Sequence, residues 1–268
     1  MIRSAAGPGA GLGLRAGGRL PLGGNVVRKN ILTTEQEEQH LVAVKDNYLK
    51  LQAAIKLWQQ EHASSLAADF RLEPAFPRFT LDNLPEESII DLWQRLNQVA
   101  DEPQEKADLR TLLEQFKQGE SLDNAAAARL QLALAGVAQM LCQHLVPKPG
   151  EDNQPFGTCP VCGEKHFMTL LAPPVGKRYQ QCLVCGYQRP VDASGCACCG
   201  SMDAKKQTYL KSEQYPGLEV AVCSDCGSYF KQVDLRKLSV DDLVWEDIRT
   251  MPLNYAAEKW LAGQHGWN

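Results

Sequence analysis

The apolar residues of this chain recur at helical spacing through its first half and in short cysteine-bracketed runs through its second. From Thr34, where Thr34 and Glu37 form an S/T-x-x-E capping box, the residues Leu41, Val44, Tyr48, Leu51, Ile55 and Trp58 follow at intervals of three and four. That period puts them on one face of a helix of about seven turns. The face is read as the buried side of an intramolecular bundle; a coiled-coil seam for a partner is the alternative. Pro74, Pro77 and Pro85 interrupt the pattern, and Ile89, Ile90, Trp93, Leu96 and Val99 resume it. Leu109, Leu112, Leu113 and Phe116 make a third face, and Leu130, Leu134, Val137, Leu141 and Leu145 a fourth. Cys142, without a cysteine neighbour in sequence, reads as a small core residue. Pro147, Pro149 and Gly150 end the helical run.

Beyond them the period shortens. Segments His166 to Leu171 and Lys177 to Gln181 flank Pro173, Pro174 and Gly176, and segments Gln207 to Lys211 and Leu218 to Val222 flank Pro216 and Gly217. Each pair predicts a β-hairpin. Ser239 and Asp242 suggest a cap that opens a helical ending with Leu243, Val244, Ile248 and Trp260. The expected fold is α+β: an N-terminal helical bundle, two successive zinc-ribbon or rubredoxin-like tetracysteine modules, and a short helical tail. The boundaries are a disordered Gly/Arg-rich tail over 1–32, a helical domain over 33–150, the metal modules over 151–238 and the C-terminal helices over 239–268. The first 30 residues, with eight glycines and no acid, lack a periodic apolar face. They resemble an organellar transit segment only in being Arg-bearing and acid-free.

Charge narrows the function classes. The formal net charge is −4, and residues 151–238 carry 10 basic against 9 acidic side chains. Neither half presents the basic patch that neutralises phosphates, which argues against nucleic acid. The sequence shows no run of about 18 apolar residues for a membrane span and no export signal, so a cytoplasmic protein without membrane insertion is expected.

Of ten cysteines, nine lie between Cys159 and Cys226. Eight form four pairs of one template: Cys159/Cys162 in CPVCG, Cys182/Cys185 in CLVCG, Cys196/Cys199 in CACCG and Cys223/Cys226 in CSDCG. In a reducing compartment this pattern favours metal ligation over disulfides. Two intervening residues let a tight turn aim both sulfurs at one ion, and the following glycine can take positive φ. The hairpins pair the knuckles in sequence, first with second and third with fourth. An interleaved pairing is the alternative, disfavoured because only ten residues separate Cys185 from Cys196. Four thiolates close the coordination shell, so a hydrolytic metal is not expected, and nucleotide-binding and hydrolase motifs are missing. Tetrathiolate ligands suit iron and zinc alike. Cys198 is an additional thiol beside the second site, and His166 reads as a strand surface residue near the first.

The order of these features, with KRYQQCLVCG around Arg178 and Tyr179, CSDCGSYFKQVDLRK from Cys223 to Lys237, and an ending that contains Asp241, Asp242, Leu243 and Pro252, resembles the formate dehydrogenase accessory protein family. The resemblance covers roughly residues 40–262. It implies a non-catalytic maturation factor whose partner is the catalytic subunit of a molybdenum- or tungsten-dependent formate dehydrogenase. It also implies two metal ions, with iron favoured and zinc the alternative, one on Cys159, Cys162, Cys182 and Cys185 and one on Cys196, Cys199, Cys223 and Cys226. Tyr229, Phe230, Lys231 and Arg236 are the candidate client-facing residues, unless Tyr229 and Phe230 alternate into a ribbon core. A zinc-ribbon nucleic-acid protein and a rubredoxin-like electron carrier are the rival readings. Oligomeric state is not legible in the sequence.

Overall fold

The computed structural model describes residues 34–146, 156–192 and 194–264. The tail over 1–32, the capping side chains of Thr34 and Glu37, and the Pro147, Pro149 and Gly150 junction lie outside the described residues.

Among the described residues of the N-terminal half there are four α-helices: α1 (Thr34–Asp69), α2 (Glu86–Val99), α3 (Lys106–Lys117) and α4 (Asn124–Leu145). Their buried faces are those the spacing picks out, except that Val99 at the end of α2 is exposed. Ile55, Trp58, Ile90, Trp93, Leu96, Leu109, Leu113, Leu130, Val137 and Leu141 are all nearly inaccessible and form one core. The α1 stripe is buried only from Tyr48 onward, since Leu41 is exposed and Val44 half-buried. Asp123 caps α4 by accepting from the amides of Ala125 and Ala126.

Among the described residues, α4 is long and apolar enough to cross a membrane, which corrects the expectation that no segment is. Here its apolar residues are spent on neighbours. The helix lies against α1 and α2, and Gly136 sits so close to Leu92 and Ile55 that a Cβ would fall 2.8 Å from Leu92. A helix surrounded by others must be apolar on most of its circumference.

The second half is one six-stranded sheet in the order β3-β2-β1-β6-β5-β4. Its strands are β1 (Phe167–Ala172), β2 (Lys177–Cys182), β3 (Gln188–Pro190), β4 (Gln207–Lys211), β5 (Leu218–Cys223) and β6 (Ser228–Asp234). The two expected hairpins are β1/β2 and β4/β5. They are joined because β6 returns to pair antiparallel with β5 on one side and parallel with β1 on the other, Leu170 opposite Val233. The two cysteine modules therefore share one sheet.

Helices α5 (Leu243–Arg249) and α6 (Met251–Gln264) close the chain. Leu253 and Ala257 of α6 pack with Val220, Val222 and Val233. The cap of α5 is Asp242 alone, whose carboxylate accepts from the amides of Val244 and Trp245. The helix begins one residue later, so Ser239 lies outside it.

Candidate metal centres

Each C-x-x-C-G segment folds into the same knuckle. The amides of Gly163, Gly186, Gly200 and Gly227 donate to the carbonyls of Cys159, Cys182, Cys196 and Cys223, at 2.8–3.1 Å. All four glycines have φ between 65° and 77°, a region where a side chain is strained. The template repeats because each turn requires positive φ at the residue after its second cysteine.

Hairpin closure then brings the knuckles together in sequence. The sulfurs of Cys159, Cys162, Cys182 and Cys185 lie within 4.8 Å of one another, as do those of Cys196, Cys199, Cys223 and Cys226. This excludes interleaved pairing. Cys159 and Cys185 approach to 3.5 Å, Cys162 and Cys182 to 3.6 Å, and Cys196 and Cys226 to 3.9 Å. A tetrahedral ion with bonds of about 2.3 Å needs sulfurs about 3.8 Å apart. Each group could hold one metal ion, and the donor set fits iron or zinc equally.

The thiols' protons point the same way. Hydrogen bonds from Cys162, Cys182 and Cys185 hold the Cys159 thiol well below its ordinary value, while Cys162 and Cys185 are pushed far up. The Cys159 thiolate is thus favoured while ionisation of Cys162 and Cys185 is opposed, and a cation held by the group would offset that opposition. In the second group, contact with Cys198 pushes Cys196 up to about 12, and burial pushes Cys226 up to about 12.

Burial separates the two centres. All four first-group cysteines are buried within the core of the helical bundle, beside Val161 and Val184. The knuckle itself is attached there: the amides of Arg78 and Phe79 donate to the carbonyls of Pro160 and Val161 at 3.2 and 3.0 Å. The second group packs with Phe167, Ala197, Ala221 and Phe230 instead, and leaves Cys199 and Cys226 exposed.

Several neighbours were not legible as such. Cys142 of α4 is a core residue, as expected, yet it also touches Cys185, and that contact is the main cause of the upward push on the Cys185 thiol. Cys198 lies 4.0 Å from the Tyr229 carbonyl. Arg189, buried on β3, is held by Gln180 Oε1 at 2.7 and 2.9 Å and faces Cys159. His166 stands outside both groups, 3.0 Å from Asp247.

Most of the candidate client-facing stretch turns inward. Phe230 and Lys231 are buried, Tyr229 is half-buried with its hydroxyl on Glu258, and Arg236 stays exposed while it pairs with Asp234. The reason is that both faces of β6 are covered, Phe230 packing with the second cysteine group and Val233 with α6. The alternation into a ribbon core is the arrangement found.

No protein-family model matches the chain. It is 33% identical over 106 residues to the "Protein FdhE homolog" of Aquifex aeolicus (strain VF5), a match covering 38% of this chain and 37% of that protein. It is 29% identical over 134 residues to the protein of the same name from Edwardsiella ictaluri (strain 93-146), covering 49% and 42%. The matched stretch thus spans about two fifths of the length of these curated relatives. The crystal structure of the FdhE protein from Pseudomonas aeruginosa is similar with a TM-score of 0.49 and 20% identity, over 81% of this chain and 85% of that one. The names of the curated relatives agree with the formate dehydrogenase accessory protein family suggested by the cysteine and tail motifs.

Proposed function

We propose that this chain is a non-catalytic, metal-bearing accessory factor that binds the catalytic subunit of a molybdenum- or tungsten-dependent formate dehydrogenase and is needed for its activity. Two closed four-sulfur cages on one sheet, in a chain similar to two proteins named FdhE homolog, are the observation that carries it. Cys159, Cys162, Cys182 and Cys185 would hold one ion, and Cys196, Cys199, Cys223 and Cys226 the other. Iron is favoured by the resemblance, with zinc able to fill the same cages. Bound metal would supply folding energy and, as iron, a one-electron couple. Four protein ligands leave no position for substrate, so the role is binding rather than turnover.

The working units are the helical domain (33–150), the metal modules (151–238) and the C-terminal helices (239–268). A cytoplasmic setting fits thiols that must stay reduced until metallated. The apolar α4 is read as the bundle's central helix and not as a membrane anchor.

Deleting the gene should abolish formate dehydrogenase activity while its catalytic polypeptide is still made. Affinity purification of the tagged chain under anaerobic conditions should recover that polypeptide. A Cys223→Ser/Cys226→Ser variant should fail to restore activity. Full restoration by a folded double variant would overturn the proposed need for the second cage, and unchanged activity after deletion would overturn the function.

A further inference from the structure

Arg178 occupies β2, where side chains alternate between exposed Lys177, half-buried Tyr179 and the inward positions of Gln180 and Cys182. It takes an inward place that alternation would give to an apolar residue, and it is 1% exposed. A guanidinium keeps its proton under all ordinary conditions, so a full positive charge is buried. Such a charge is expensive unless something nearby compensates it.

The surroundings identify the compensation. Nη1 donates to the carbonyls of Asp192 and Gly195 at 3.1 and 2.7 Å, and the Val191 amide donates back to the Arg178 carbonyl at 3.1 Å. Gly195 directly precedes Cys196. The guanidinium carbon lies 4.9 Å from the ring centre of Phe230, which itself packs against Cys196 and Cys223. Burial lowers the Arg178 pKa, and the neighbouring Tyr209, Cys196, Asp192 and Cys198 oppose that lowering. Four thiolates around a divalent ion retain two excess negative charges, for which a buried cation is a natural counterpart.

We propose that Arg178 is a positioning residue of the second cage, clamping the chain that leads into Cys196 and acting as a buried counter-cation to its thiolates. The first module's hairpin thereby completes the second module's centre, although the cysteines of the two never mix. This rests on the reading that each cage holds a metal ion.

The test is a cobalt(II) titration of the full chain, read by thiolate charge-transfer absorption and by competition with a chromophoric chelator. The step missing from Cys223→Ser identifies the second cage. Arg178→Met should weaken that step by about 10–100-fold, the usual effect of removing a group that supports metal ligands, and leave the first step unchanged. Arg178→Lys keeps the charge without the planar fork and should fall between. Should Arg178→Met lose helical ellipticity, Arg178→Lys decides: a weakened second step supports the clamp and wild-type affinity overturns it. A folded Arg178→Met that binds at both steps like wild type overturns the role of Arg178 alone. Wild-type protein taking up fewer than two ions overturns the metal reading and this inference together.

Discussion

The amide of Phe79 donates to the carbonyl of Val161 at 3.0 Å, so the segment between α1 and α2 is hydrogen-bonded to the interior of the first cysteine knuckle. With Arg78 bonded to Pro160 in the same way, and a Cβ at Gly163 only 3.3 Å from Pro77, the knuckle is part of the bundle's wall. Metal at this centre should therefore stabilise the helices. Cys162→Ser should lose one ion and lower the thermal midpoint of the helical signal by several degrees, as expected for a loss of about 2 kcal/mol or more. Cys223→Ser should lose the other ion with the helical midpoint nearly unchanged, and Cys142→Ser should lose neither. Elemental analysis with circular dichroism checks all three; an unchanged helical midpoint in Cys162→Ser would contradict the shared core.

Unequal burial predicts unequal lability. Cys199 and Cys226 are exposed while the first group is enclosed, so a chelator should strip the ions in two phases of one equivalent each. The fast phase should vanish in Cys223→Ser. A single phase for both ions would mean that enclosure does not control release.

Lys231, 3% exposed on its side chain, bonds Asp247 at 2.8 Å, and His166 holds the other carboxylate oxygen at 3.0 Å. This network anchors α5 to β6 and to the residue that precedes β1. Removing one member of a buried pair leaves the other uncompensated, so Asp247→Ala should cost about 3–5 kcal/mol in urea unfolding.

The same carboxylate sets a pH dependence. Burial would raise the Asp247 pKa, but the hydrogen bond from His166 and the charge of Lys231 outweigh it and hold the group below its ordinary value. A depressed carboxylate stabilises fully above its unfolded value and loses that contribution as pH falls through the folded one. The stability gap between wild type and Asp247→Ala should narrow as pH falls below about pH 4. A gap that widens below about pH 4 would reverse the sign assigned here.

The Tyr48 hydroxyl donates to Asp242 at 2.8 Å, across 194 positions of sequence, while the other oxygen of that carboxylate caps α5. Tyr48→Phe should cost about 1 kcal/mol, one hydrogen bond. Asp242→Ala should cost about 1–3 kcal/mol, because the cap is lost as well. Equal losses in the two variants would show that the cap contributes nothing.

What the sequence determined by itself is local. The C-x-x-C-G template dictates a knuckle because two intervening residues and a positive-φ glycine fix the turn, and hairpins of the observed length close knuckles in sequential pairs. The helical faces were legible for the same reason, since their period is a property of the backbone and not of the partner. Tertiary structure alone decided that β6 lies parallel beside β1 with both faces covered, which turned Phe230 and Lys231 inward and left Arg236 exposed. It alone placed Cys142 against Cys185, Phe79 against Val161, and Arg178 beside the second cage. These contacts join residues far apart in the chain, and no local period encodes them; they are selected by which buried charges and apolar faces can be satisfied together once the two halves pack.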